Sequence, residues 1–163
     1  MPALLRKFTA GVVFAALATV VGVVVATPAQ AASHYGCSYP NLCLKNGTYS
    51  TGDAIWYGSA SGYRNLPSGD QNKADSVINT KNNDSIWLLD TGTSPDAYIC
   101  IPADTYVNLG NYSHTLRGPN ETWANDADTV MIWPDSDNGM CRNPQGVDTD
   151  RVQQGAVSNG WRP

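Results

Sequence analysis

The residues best equipped for chemistry occur twice. Asn72-Lys73-Ala74-Asp75-Ser76-Val77-Ile78 returns as Asn125-Asp126-Ala127-Asp128-Thr129-Val130-Met131. Both copies keep Asn-x-Ala-Asp, then a hydroxyl residue, then Val. Asn72, Asp75 and Ser76, with Asn125, Asp128 and Thr129, offer side-chain oxygens of the kind that calcium gathers, about six to eight at a time. The same residue types also cap turns, because their short side chains bond to nearby backbone groups. Local turn capping is therefore the competing reading of both stretches.

Catalytic residues are sparse. His34 and His114 are the only histidines, and neither H-E-x-x-H nor G-x-S-x-G occurs. A triad through His114 would need a geometry that spacing alone does not specify, so a surface histidine on a loop is the expected role. Glu121 is the sole glutamate, which excludes a paired-glutamate glycosidase site. Trp56, Trp87, Trp123 and Trp133 fall mostly in apolar runs and are expected in the core or on sheet faces rather than as sugar platforms. The chain reads as a non-enzyme.

Cys37, Cys43, Cys100 and Cys141 are the remaining reactive groups. An even number in an exported chain reads as disulfides. Cys37 and Cys43 flank a Tyr-Pro-Asn turn and close a short loop at little cost, which leaves Cys100 for Cys141. Neither gap has the close pairing that zinc prefers.

Something must export these cysteines and position the repeated stretches. Arg6 and Lys7, the uncharged apolar run 8–26 and the small residues before Ala32 read as a signal peptide over residues 1–31. The competing reading of that run is a membrane anchor. With the signal removed, the balance is more acidic than the −4 of the whole chain. That disfavours nucleic acid and anionic membranes as partners. No sustained helical period follows. Short apolar runs alternate with Gly, Pro, Asn and Asp, the pattern of an all-β sandwich or barrel.

The runs also repeat in order. Leu42-Cys43-Leu44 aligns with Trp87-Leu88-Leu89, Ile55-Trp56-Tyr57 with Tyr98-Ile99-Cys100, and Asn65-Leu66 with Asn108-Leu109. The expected domain spans 32–133, with repeats at about 37–80 and 86–133 and an insertion between Leu109 and Asn125. Two similar four-strand units suggest two Greek keys packed face to face, each covering the other's apolar surface. Residues 134–163 read as a polar tail, pinned in its first part by Cys141 and loosely ordered beyond 146.

Cys43-Leu44-Lys45, Tyr49 with Gly52, the central Asn65-Leu66, and Gln71 to Val77 follow an order that resembles the βγ-crystallin superfamily. Within it the layout is similar to the secreted bacterial proteins of peptidase inhibitor family I36. The resemblance covers about Cys37 to Trp133. It implies a βγ-crystallin-like sandwich, an extracellular protease as partner, and inhibition by a surface loop that occupies the protease cleft. Candidate loops are Ser59 to Pro67, with Tyr63 and Arg64, and the insertion, with Tyr112, His114 and Arg117. It also implies calcium as an optional ligand at the repeated stretches. The chain departs from the pattern at Tyr49, one residue too far from Gly52, and in the second half, where Thr91 to Asp96 replaces the aromatic–glycine pair. Ala124 stands where the family has an acidic or amide residue, a position at which Gln71 keeps the amide, and Asp75 and Asp128 stand where the family has Ser. A monomer is expected. The alternatives are an extracellular calcium-binding or structural module and a small secreted antimicrobial or cell-surface binding protein.

Overall fold

The computed structural model describes residues 32–133, 138–142 and 147–158. The expected signal segment 1–31 lies outside the described residues. The elements in chain order are β1 (Leu42–Asn46), β2 (Asp53–Gly58), β3 (Gly62–Asn65), β4 (Ser76–Asn79), β5 (Ile86–Asp90), β6 (Asp96–Ile101) and β7 (Thr105–Asn108). A short 3-10 turn (Leu109–Asn111) precedes β8 (Thr129–Ile132), and β9 (Cys141–Arg142), β10 (Asp148–Thr149) and β11 (Gln153–Val157) follow. The all-β expectation holds. Among the described residues no helix is long and apolar enough to cross a membrane.

Two antiparallel sheets form a sandwich-like arrangement. One has the order β2-β1-β4-β7 and the other β11-β6-β5-β8-β3; β9 and β10 make a small separate pair. The third strand of each half crosses over. β3 pairs with β8, and β7 pairs with β4. Leu42, Leu44 and Val77 of one sheet meet Ile86, Leu88, Ile99, Ile101, Val130 and Ile132 of the other in a shared interior. Alternate residues of β1, β5, β6 and β8 face that interior, which is what a period of two requires.

One register differs from the sequence alignment. Leu44 lies opposite Val77, and Leu88 lies opposite Val130. Leu44 therefore corresponds to Leu88, and Cys43 to Trp87, one place from the expected match. A slip of one residue turns every side chain to the other face. Ile86-Trp87-Leu88-Leu89 has no alternation to mark its inner face because both faces are covered. Leu89 packs outside with Tyr98, Met131, Cys100 and Cys141. Trp87 stacks on Tyr98 with ring centres 4.1 Å apart. The other sheet's outer face carries Cys37, Cys43 and Ile78, with Tyr49 packed against them.

Both expected disulfides are present, Cys37–Cys43 and Cys100–Cys141. They are consistent with an oxidising extracellular compartment. Beyond Cys141, β11 runs along the outer edge of β6, with Gln153 opposite Cys100. Its residues are too polar to announce a strand. Backbone pairing holds it, and Gly155 lets it lie flat on Tyr98: a Cβ there would come within 2.6 Å of the ring.

Candidate functional site

The two repeated stretches meet each other at the centre of the molecule. The Asn72 N–H donates to the Ala127 carbonyl at 2.9 Å, and the Asn125 N–H donates to the Ala74 carbonyl at 2.8 Å. Both asparagines are left-handed, with φ of 54° and 64°, a conformation that Asn tolerates better than most residues. Ala74 and Ala127 are fully buried, so a larger side chain would push the halves apart. The repeat thus builds the junction between the two units.

The acidic residues of the repeat cap neighbouring turns. Asp75 accepts from the Gly47 N–H through Oδ2 at 2.8 Å and from Asn125 Nδ2 through Oδ1 at 2.9 Å. Ser76 donates to the Gly47 carbonyl at 2.8 Å. Asp128 Oδ2 accepts from both the N–H and the hydroxyl of Thr91, each at 3.0 Å. Thr129 donates to Asn65 Oδ1 at 3.2 Å. A calcium ion at Asp75 would have to displace two N–H donors, and the neighbouring Ala124 supplies no side-chain oxygen. Among the described residues no group of three His, Cys, Asp or Glu side chains could hold a metal ion. The residues present fit turn capping better than calcium.

Each repeated stretch borders an open cleft. The one beside Asp75, about 270 Å³, is lined by Gly47, Thr48, Asn108, Gly110 and Ala124. The one beside Asp128 is about 600 Å³ and brings together Tyr63, Asn72, Arg117, Asp128 and Thr129. Residues expected for two different purposes thus share one polar cleft.

The insertion makes the difference between the two clefts. It folds back on itself through a bridge between Ser113 and Thr122. The His114 N–H donates to the Glu121 carbonyl at 2.8 Å, and the Trp123 N–H to the Tyr112 carbonyl at 3.0 Å. At the tip, the N–H groups of Arg117 and Gly118 both point at the His114 carbonyl, at 3.1 and 3.4 Å. Residues 115–117 therefore form a closed turn.

Side chains fasten this loop to the sandwich. Arg117 grips Asp90 with two bonds, Nε to Oδ2 at 2.6 Å and the terminal nitrogen to Oδ1 at 2.9 Å. The Gly92 N–H also donates to Asp90 Oδ1 at 2.8 Å. Gly92 leaves room for the guanidinium, since a Cβ would sit 3.1 Å from it. His114 lies beneath, with Nε2 3.2 Å from Asp90 Oδ2 and its ring 4.2 Å from that of Trp123. Asp90 and His114 are both fully buried. Trp123, also buried, donates its ring N–H to Gln154 Oε1 at 2.7 Å, which ties β11 into the same assembly.

Charge follows from these contacts. The hydrogen bond to Asp90 raises the Arg117 pKa and keeps it a cation, aided by Asp126 and Asp128. Burial raises the Asp126 carboxyl above its ordinary range, against the opposing pull of Arg117. Burial also raises the Tyr112 hydroxyl.

Several expectations are corrected here. His114 is not a surface histidine: the insertion folds over it, so its ring cannot reach a substrate in this arrangement. Tyr63 and Arg64 do not belong to a loop. They sit in β3 against Met131 and Val130 of β8, and Tyr63 donates its hydroxyl to Thr129 at 3.2 Å. Only 59–61 remains as the connection between β2 and β3. Trp123, by contrast, is in the core as expected, although it lies in the insertion. Two residues escaped notice in the sequence. Asp90 ends an apolar run, and a carboxylate abutting a buried strand signals a buried ion pair. Leu116, 41% exposed at the tip of the insertion, is a large apolar residue in an otherwise polar turn. Set against known proteins, the chain matches no family model, no curated protein and no solved structure.

Proposed function

We propose that this chain is a secreted, non-enzymatic inhibitor of an extracellular peptidase, with two Greek keys in a βγ-crystallin-like arrangement. In each half the fourth strand returns beside the first, β4 beside β1 and β8 beside β5, as a Greek key requires. The crossing of β3 and β7 between the sheets is consistent with two interlocked units. The residue resemblance described above supplies the inhibitor class.

The observation that carries the functional reading is the braced insertion. Inhibition needs a loop that is ordered before it binds, because ordering it afterwards costs affinity. Arg117 on buried Asp90 and the internal bonds of 112–123 meet that need. The loop also resists cleavage by its shape. An extended peptide is held through free backbone groups, whereas those at 117 and 118 are already bonded to His114. The loop therefore acts as a wedge in the cleft rather than as a threaded substrate.

The test is an inhibition assay against a subtilisin-like peptidase and a metallopeptidase, followed by electrophoresis of the recovered protein. Inhibition with an intact chain is expected. Absence of inhibition at micromolar protein would refute the reading, and cleavage within 112–123 would refute the wedge.

A further inference from the structure

We infer that Leu116 is the side chain this loop offers to a peptidase, and that its targets are peptidases whose specificity pocket takes a large apolar side chain; the inference rests on the inhibitor reading above. The neighbouring residue would suggest the opposite. Arg117 is the cation that a trypsin-like pocket selects, and it lies in the same turn. Its guanidinium is committed, however, with two bonds to Asp90 and Nε 3.4 Å from Asp126. Withdrawing it into a foreign pocket would leave the fully buried Asp90 carboxylate without its cation.

What remains at the tip is Thr115, Leu116, Pro119, Asn120 and Glu121, all exposed. Leu116 is the large apolar member of that set, and 41% of its surface is open in the free protein. A single exposed leucine is ordinary on a protein surface. This one stands at the apex of a turn whose backbone is internally bonded and whose adjacent cation is held from below. A rigid apolar anchor entering a pocket is the usual source of binding energy at an interface. Glu121 adds a negative charge that an acidic trypsin-like pocket would repel.

The experiment measures inhibition constants of the wild-type chain, Leu116→Ala and Leu116→Arg against subtilisin, chymotrypsin and trypsin, with the melting temperature of each variant as a folding control. The wild type is expected to inhibit subtilisin or chymotrypsin and to spare trypsin. Leu116→Ala should weaken that inhibition about 10- to 30-fold, and Leu116→Arg should gain inhibition of trypsin. Inhibition of trypsin by the wild type, or an unchanged constant in Leu116→Ala, would overturn the assignment while leaving the inhibitor reading standing. Silence against all three, together with silence against the metallopeptidase, would remove both.

Discussion

Asn125 Nδ2 donates to Asp75 Oδ1 at 2.9 Å, whereas among the described residues no such bond joins the equivalent pair, Asn72 and Asp128. The two halves share a backbone plan and differ in how they use it. In the first half the asparagine of one repeat caps the aspartate of the other. In the second, Thr91 serves Asp128 and the insertion brings Arg117 alongside. The repeated stretches build a junction that is symmetric in its backbone bonds, and the insertion loads one side of it.

Asn72 and Asn125 should therefore respond differently to truncation. Asn72→Ala should cost about 1 kcal/mol, because Ala lacks the short polar side chain that lets Asn tolerate the left-handed region. Asn125→Ala should cost that amount plus about 1 kcal/mol for the lost bond to Asp75. Asn72→Gly should be close to neutral. Urea unfolding of the three variants measures this; equal losses at the two positions would show that the Asn125–Asp75 bond contributes nothing.

Arg117→Ala should destabilise the chain by about 3 kcal/mol, because it leaves the Asp90 charge buried with only the Gly92 N–H and His114 near it. The partly exposed guanidinium alone would predict far less, since surface ion pairs contribute about 0–1 kcal/mol. Chemical denaturation distinguishes the two. Amide exchange at 114–121 should rise in the same variant, because the loop loses its anchor.

Calcium should leave the melting temperature unchanged. A ligand that binds only the folded chain must raise it by mass action. At Asp75 the ion would compete with the Gly47 and Asn125 donors, and at Asp128 with the positive field of Arg117. Melts in millimolar calcium and in chelator provide the comparison. A rise in calcium would restore the extracellular calcium-binding module as the leading alternative.

The two disulfides should contribute unequally. Cys100–Cys141 spans a sequence separation of 41 and Cys37–Cys43 a separation of 6. Loop-closure entropy assigns them about 4 and about 2 kcal/mol. The paired Cys→Ala variants, unfolded in urea, should show that order. Loss of the longer bridge should also release the 138–142 segment and β11, detectable as faster amide exchange at Gln153 to Val157.

Asp126 should make the protein less stable as pH rises. Burial lifts its carboxyl above the ordinary value of 3.8. Between the unfolded and the folded value the native chain holds a proton that the unfolded chain has released, so stability falls with increasing pH through that window. The stability difference between wild type and Asp126→Asn should shift against the wild type as pH is raised from about 3 to 6. A shift in its favour would mean that Arg117, not burial, dominates at Asp126.

Much of this was legible in the chain itself. The repeated order of short apolar runs established an all-β sandwich in two similar halves, because a period of two and frequent turn residues admit little else. Cysteine spacing determined both disulfides, since the short loop between Cys37 and Cys43 left one other pair. Tertiary structure decided the rest. The exchange of β3 and β7 between sheets depends on pairing between distant segments, which local pattern does not encode. The face of β5 was ambiguous because Ile86 to Leu89 is apolar on both sides. The burial of His114 and the hold of Arg117 on Asp90 depended on where the insertion folds back, and a polar segment carries no periodicity to indicate that. Spacing located the residues of the repeat; only packing showed that they build the junction, and that the loop it does not share is what stands exposed.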